Sequence, residues 1–187
     1  MKKRMKLVSN MGNEYAMFDV LTIGWSGLQT VRNYNQDLKL VMHAHRAGHA
    51  AFTKGKNGIS MAVIAKLSRL IGMDQLHVGT AVGKMEESRE TVIQNVNACK
   101  ERFGNLKQTF PVCSGGLHPG HVPKLVEFFG KDIIIQMGGG IHGHPEGTIE
   151  GAKAARQAID ATMKGISLKE YSKNHEQLRL ALEKWNN

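Results

Sequence analysis

The sequence predicts an α/β fold built on a parallel sheet, and three observations lead there. Five apolar runs of strand length alternate with helical patterns along the chain. Each run is near-continuously apolar rather than alternating, as expected of strands whose two faces are covered by helices. No two-residue hairpin turn joins one run to the next, so the connections are crossovers, which are right-handed. Two architectures satisfy this pattern. One is an open, doubly wound five-stranded sheet. The other is part of a (β/α) barrel, which needs eight strands and typically about 250 residues. A length of 187 residues suits one hydrophobic core, so residues 1–187 are read as a single domain.

The elements follow in order. Lys2 to Met11 is a helix ended by Gly12-Asn13. Tyr15 to Thr22 is an apolar run with one acid, a buried strand in type. Gly24 to Gly27 turns the chain, and Leu28 to Asn35 makes a short helix. Leu38 to His45 is the second strand. Ile59, Val63, Ile64, Leu67, Leu70 and Ile71 form a helical stripe that Gly72 caps. Gln75 begins a third strand, which ends at His77 and runs into a loop held by Gly79 and Gly83 that presents Lys84. Glu86 to Phe103 is a long amphipathic helix with acids in its first turns, where the helix dipole favours them. Thr109 to Gly116 is the fourth strand with its glycine-rich end, and His121 to Phe129 is helical. Asp132 to Gly140 is the fifth strand, again ending in glycines. Thr148 to Met163 and Leu168 to Trp185 are helices. No linker, low-complexity tract or internal repeat interrupts the series.

Composition narrows the function classes. Hydrophobic residues make up 41% of the chain, an ordinary globular share. The net charge of +9 fits a basic solvated surface, an anionic substrate or nucleic acid. With no run of five basic residues and no aromatic-rich basic strand, nucleic acid is not expected as a partner. Cys99 and Cys113 lie far apart without a CxxC pattern, which fits a reducing cytoplasmic compartment and no disulfide framework. After Met1-Lys-Lys-Arg4 no long apolar run follows, so neither signal peptide nor membrane span is expected.

The strand ends carry the candidate chemistry, since α/β enzymes bind ligands at the carboxyl ends of parallel strands. The second strand ends in His43-Ala-His45-Arg46, with His49 following. Strand alternation puts His43 and His45 on one side. Such a pair can hold a metal, bind an anion and move protons, or only make structural hydrogen bonds. No HExxH or Cys/His set supports zinc, and the planar fork of Arg46 suits a phosphate. The third strand contributes His77 and Lys84. Taken alone, Lys84 pairs as readily with Glu86 or Glu87 in solvent as it acts on a ligand. The fourth ends Ser114-Gly115-Gly116-Leu-His118, and the fifth Gly138-Gly139-Gly140. Singly, each glycine pair reads as a tight turn. Together, at the last two strand ends, they favour backbone N–H groups approaching a phosphate.

These residues resemble the large subunit of ribulose-1,5-bisphosphate carboxylase/oxygenase (RuBisCO). His43 to His49 is similar to the family's strand-five segment, and His77 to Lys84 to its strand six and mobile loop. Phe110 to His118 and Gln136 to Pro145 are similar to its last two strands. Trp25 to Thr30, His49 to Thr53 and Gly116 to Pro119 look most like the archaeal type III branch, which is associated with AMP and nucleoside salvage. The resemblance runs in order over nearly the whole chain. It implies a partial TIM (β/α)8 barrel, five parallel β/α units corresponding to strands four to eight, plus carboxy-terminal helices.

The resemblance also implies roles. His45 would assist proton transfer beside the substrate hydroxyls. Arg46 and His77 would bind one phosphate of ribulose-1,5-bisphosphate. Lys84 would orient carbon dioxide and stabilise the new carboxylate. Ser114 would hydrogen-bond the substrate, Gly115 and Gly116 would line its site, and Gly138 and Gly139 would offer N–H groups to the other phosphate. The expected products are two 3-phosphoglycerates. The family's cofactor is magnesium on a carbamylated lysine within a Lys-x-Asp-Glu segment. That segment does not occur in these residues, so no metal ligand is assigned. The expected partners are a complementary amino-terminal RuBisCO chain or further copies of this one. Two other functions compete: a RuBisCO-like enolase or isomerase of sugar phosphates, and a non-catalytic phosphate-binding partial barrel that pairs with another chain.

Overall fold

A computed structural model describes residues 1–83 and 87–185. Among them five strands form one sheet in the order β1-β2-β3-β4-β5. Helix α1 (Lys2–Asn10) precedes β1 (Tyr15–Asp19), α2 (Val20–Ile23) and α3 (Trp25–Leu38). Then come β2 (Val41–His45), α4 (Ala50–Thr53), α5 (Met61–Ile71), β3 (Gln75–His77) and α6 (Arg89–Lys100). β4 (Phe110–Ser114), a 3₁₀ turn over Pro119–His121, α7 (Val122–Phe129) and β5 (Ile134–Gln136) follow. The chain ends in α8 (Gly138–His142), α9 (Thr148–Met163), α10 (Leu168–Tyr171) and α11 (Glu176–Trp185). The α/β class with a parallel sheet is the architecture expected from the apolar runs.

The chain forms two compact units. One comprises Met1–Val78 with Ile93–Val112, the other Gly79–Val92 with Cys113–Asn187. In the first unit β1, β2, β3 and the start of β4 pair in parallel, Asp19 opposite His45, His43 opposite Gln75, and Gln75 opposite Phe110. One face of this sheet is sealed by Ala16, Phe18, Met42, Ala44 and Leu76 together with Leu28, Val31 and Ile64, all buried. Each large side chain so buried contributes about 1.5–3 kcal/mol. The opposite face carries Tyr15, Met17 and Phe110, which are 56%, 59% and 50% exposed, so its apolar rim is uncovered in this unit.

Local chemistry explains the helix ends. The Ser60 hydroxyl accepts from the Val63 N–H at the start of α5. At its end Gly72 adopts the left-handed conformation, and Met73 N–H returns to Ser68 O. The stripe read from the sequence is wider than the face α5 buries. Ile64 and Ile71 point inward with Met61 and Ala65, whereas Val63 and Leu70 are 43% and 53% exposed. Arg69, on the inner side, is buried and bonds the carbonyls of Ala98, Glu101, Leu106 and Lys107, tying the end of α6 to α5.

Several boundaries differ from expectation: Leu38 ends α3 rather than opening the second strand, which starts at Val41, and the helix expected to reach Phe103 ends at Lys100. The first strand stops at Asp19, and Val20–Ile23 coils into α2, because an apolar run satisfies either state. Helix α3 begins at Trp25 rather than Leu28. Gly138–Gly140 do not extend the fifth strand but open α8. The final helix breaks at His175, whose φ of −137° and ψ of 88° leave the helical region. The His175 ring instead bonds the Tyr171 carbonyl at 2.7 Å.

Candidate functional site

The first unit gathers a histidine cluster at the carboxyl ends of β2 and β3. His43 and His45 stand on one face, and the His77 ring lies edge-on to both, with centroids 4.8 Å away in each case. His43 Nδ1 is 2.6 Å from Gln75 Oε1, and His43 Nε2 is 2.7 Å from His77 Nε2. An amide oxygen only accepts, so His43 carries its proton on Nδ1. In the neutral rings His43 Nε2 then accepts from His77 Nε2–H. Burial pushes the His77 pKa down to about 4, helped by the charges of His43, His45 and Arg46. The ring is therefore neutral at neutral pH. Arg46 follows directly on β2 and is itself buried. At the neighbouring strand end, Asp19 Oδ1 meets His45 Nδ1 at 2.7 Å. His49 lies one turn on, its Nδ1 3.1 Å from Thr53 Oγ1 within the short α4 segment.

The second unit carries the glycine-rich ends. Ser114 closes β4, and Gly83 packs its backbone 3.1 Å and 3.2 Å, measured from where its Cβ would stand, from the carbonyls of Gly115 and Gly116. A side chain there would meet backbone, so this approach requires glycine. The three glycines of α8 divide into two kinds. A Cβ on Gly140 would press on Leu117 O and lie 2.6 Å from His118 Cα, so packing demands its absence. Gly138 and Gly139 have no described atom within 4 Å of the same position, and neither has a positive φ. Nothing in the described fold requires glycine at these two. Their N–H groups, in the first turn of α8, have no intrahelical acceptor.

A cavity of about 400 Å³ adjoins Gly139, lined also by Gly83, Gly116, Leu117, His118, His121, Gly140 and Trp185. His118 stacks on Trp185 with rings 5.2 Å apart and 5° from parallel. His118 and His121 cap the 3₁₀ turn reciprocally, each ring accepting from the other's backbone N–H. Burial, then the neighbouring His121, lowers the His118 pKa to about 4. His121 is lowered by burial and then by Lys124.

Of the residues singled out in the sequence, His45, Arg46 and His77 lie together in the first unit. Ser114, Gly115, Gly116, Gly138 and Gly139 lie in the second. Lys84 lies outside the described residues. Sequence reasoning missed Asp19, Gln75 and Trp185. For Asp19 a signal existed, an acid at the end of an apolar run, but its partner depends on strand register. Among the described residues, no three His, Cys, Asp or Glu side chains are grouped to hold a metal ion. No helix is long and apolar enough to cross a membrane among these residues.

Comparison with known proteins follows the same outline. Residues 1–185 match the family model of the ribulose bisphosphate carboxylase large chain, catalytic domain. A ribulose bisphosphate carboxylase of Pyrococcus furiosus is 51% identical over 186 residues, which is 99% of this chain and 44% of that protein. The chain thus spans less than half the length of the curated relatives it matches. Among solved structures, octameric ribulose-1,5-bisphosphate carboxylase/oxygenase of Pyrococcus horikoshii superposes with a TM-score of 0.95 at 46% identity, covering 99% of this chain and 45% of that one. A rubisco-like protein of Burkholderia fungorum superposes at 0.89 with 30% identity, covering 97% of this chain and 45% of that one.

Proposed function

The chain belongs to the ribulose bisphosphate carboxylase large-chain family, and we propose that it supplies the strand-four-to-eight part of an archaeal type III carboxylase. The reaction is addition of carbon dioxide to ribulose-1,5-bisphosphate, giving two 3-phosphoglycerates in AMP and nucleoside salvage. The observation that supports this reading is the contact of His45 with His77 at two adjacent strand ends, with the buried Arg46 next in the chain after His45. A buried guanidinium at the end of β2 suits a phosphate, since it presents N–H groups in a planar fork and carries positive charge, and the neutral His77 ring beside this strand end adds no negative charge. His45 handles a substrate proton. Gly138 and Gly139 take the second phosphate on their N–H groups, which the open space above them supports. Ser114 hydrogen-bonds the substrate and Gly115 and Gly116 line its site. Lys84 stabilises the carboxylate as it forms.

Magnesium on a carbamylated lysine is what the family implies. The described residues of this chain do not fit that group, since no ligand cluster is present among them. Its ligands would come from sequence outside these 187 residues, in the same polypeptide or another. The uncovered apolar rim of Tyr15, Met17 and Phe110 supports a complementary barrel segment as partner. The test is fixation: this chain is mixed with one carrying the Lys-x-Asp-Glu strand, and bisphosphate-dependent carbon dioxide uptake is measured. A well-folded mixture without uptake refutes the proposal. The likeness to a rubisco-like protein supports a second reading, enolisation of another sugar phosphate. Lys84→Ala separates the two, abolishing carboxylation while sparing enolisation.

A further inference from the structure

We infer that Asp19 is a positioning residue: its carboxylate holds His45 in the Nδ1–H tautomer and so presents Nε2 as the proton acceptor at the end of β2. Asp19 and His45 are register partners on neighbouring parallel strands, which puts their side chains on the same face. The 2.7 Å separation of Oδ1 and Nδ1 is that of a charge-assisted hydrogen bond. A carboxylate only accepts, so the ring proton between them belongs to Nδ1, and in the neutral ring Nε2 keeps its lone pair.

The usual employment of such an aspartate is ruled out by the geometry. Asp19 occupies the N-cap position of α2, where a side-chain oxygen ordinarily accepts from the first-turn N–H groups. No such bond is made. The carboxylate turns to His45 instead and leaves its own helix start without a side-chain cap. Nearby, the Gln75 amide oxygen faces His43 Nδ1, so oxygens meet the Nδ1 atoms of both histidines, and of the two only the Asp19 carboxylate has an accepting sense that cannot be reversed. Holding an imidazole by its Nδ1–H and stabilising the imidazolium that forms is how a carboxylate makes a neighbouring histidine an effective base.

The inference rests on the proton-transfer role proposed for His45, and the experiment separates the two. Ring ¹⁵N shifts of His45 are recorded on the whole chain above the ordinary imidazole pKa, with His45→Gln identifying the signal. The wild type is expected to show protonated Nδ1 and unprotonated Nε2. Asp19→Ala is expected to move the proton to Nε2, with Asp19→Glu restoring part of the original pattern, and circular dichroism showing the fold kept. Protonated Nε2 in the wild type, or shifts unchanged in Asp19→Ala, overturns the inference whatever the activity. In the fixation mixture, Asp19→Ala is expected to lower kcat by about tenfold or more with KM little changed. An equal kcat for Asp19→Ala and wild type overturns it too. Should the wild-type mixture fix no carbon dioxide while the tautomer responds as expected, the carboxylase reading fails and the role of Asp19 stands.

Discussion

Placing an alanine at each of two adjacent glycines of α8 is expected to give opposite results. At Gly140 the new methyl would lie 2.6 Å from His118 Cα, where ordinary van der Waals contact begins at 3.4 Å. The obstacle is backbone and cannot rotate away, so the loop after β4 or α8 itself must shift. Overpacking of this kind costs about 3 kcal/mol. Replacing a helical glycine returns about 0.5–1 kcal/mol. The net loss of about 2 kcal/mol should lower Tm by roughly 4–8 °C in a chain of this size. At Gly139 no described atom opposes the methyl, so the helical gain stands alone and Tm should rise by about 1–4 °C. The same methyl would cover the N–H groups proposed to take a phosphate, and on that proposal affinity for 3-phosphoglycerate should fall by at least about tenfold, or about 1.4 kcal/mol. Thermal melts by circular dichroism and calorimetric titration read the two effects. If Gly139→Ala melts as low as Gly140→Ala, glycine serves the fold at both positions. If it binds as tightly as the parent, or the parent does not bind at all, the cradle argument is wrong.

Three further outcomes follow from the same geometry. Arg69→Met removes a buried guanidinium from four carbonyls and should cost about 3 kcal/mol, a Tm fall of roughly 6–12 °C, whereas a fall under about 2 °C would show those carbonyls find other partners. His77 has a pKa of about 4 in the folded chain against about 6.5 unfolded, so the unfolded state binds more protons in that window and stability is lost as pH falls from about 6.5 to about 4. Urea midpoints should show that slope and His77→Gln should flatten it; an unchanged slope would assign the effect to other groups. The buried Cys99 thiol, pushed up to about 12 by burial, and the buried Cys113 should react with a thiol reagent only on unfolding, and fast labelling of the native chain would contradict their burial.

Much of this was legible in the sequence because the signals were local. The Gly72 cap, the His43 and His45 alternation and the five apolar runs each depend on neighbours a few residues away. What was not legible depends on register or on packing against distant chain. Asp19 gains its meaning from standing opposite His45, 26 residues on, and no periodicity encodes that pairing. Gly138 to Gly140 look alike as letters, yet only Gly140 is pressed against Leu117 and His118. Val63 and Leu70 extended the apolar stripe of α5 although the fold leaves them outside. The break at His175 follows from ring-to-carbonyl bonding that competes with a continuous helix, which helical propensity alone does not register.

The tight seating of α8 has a thermodynamic corollary. Gly140 lies against the loop after β4, and Gly151 of α9 would carry a Cβ only 2.8 Å from the Ile141 carbonyl carbon, so the short helix is wedged on two sides. An anion arriving at its first turn would find amides already aimed and would not have to order them. Association there should proceed with little loss of chain entropy and no gain in helicity, its favourable enthalpy undiminished by a folding step.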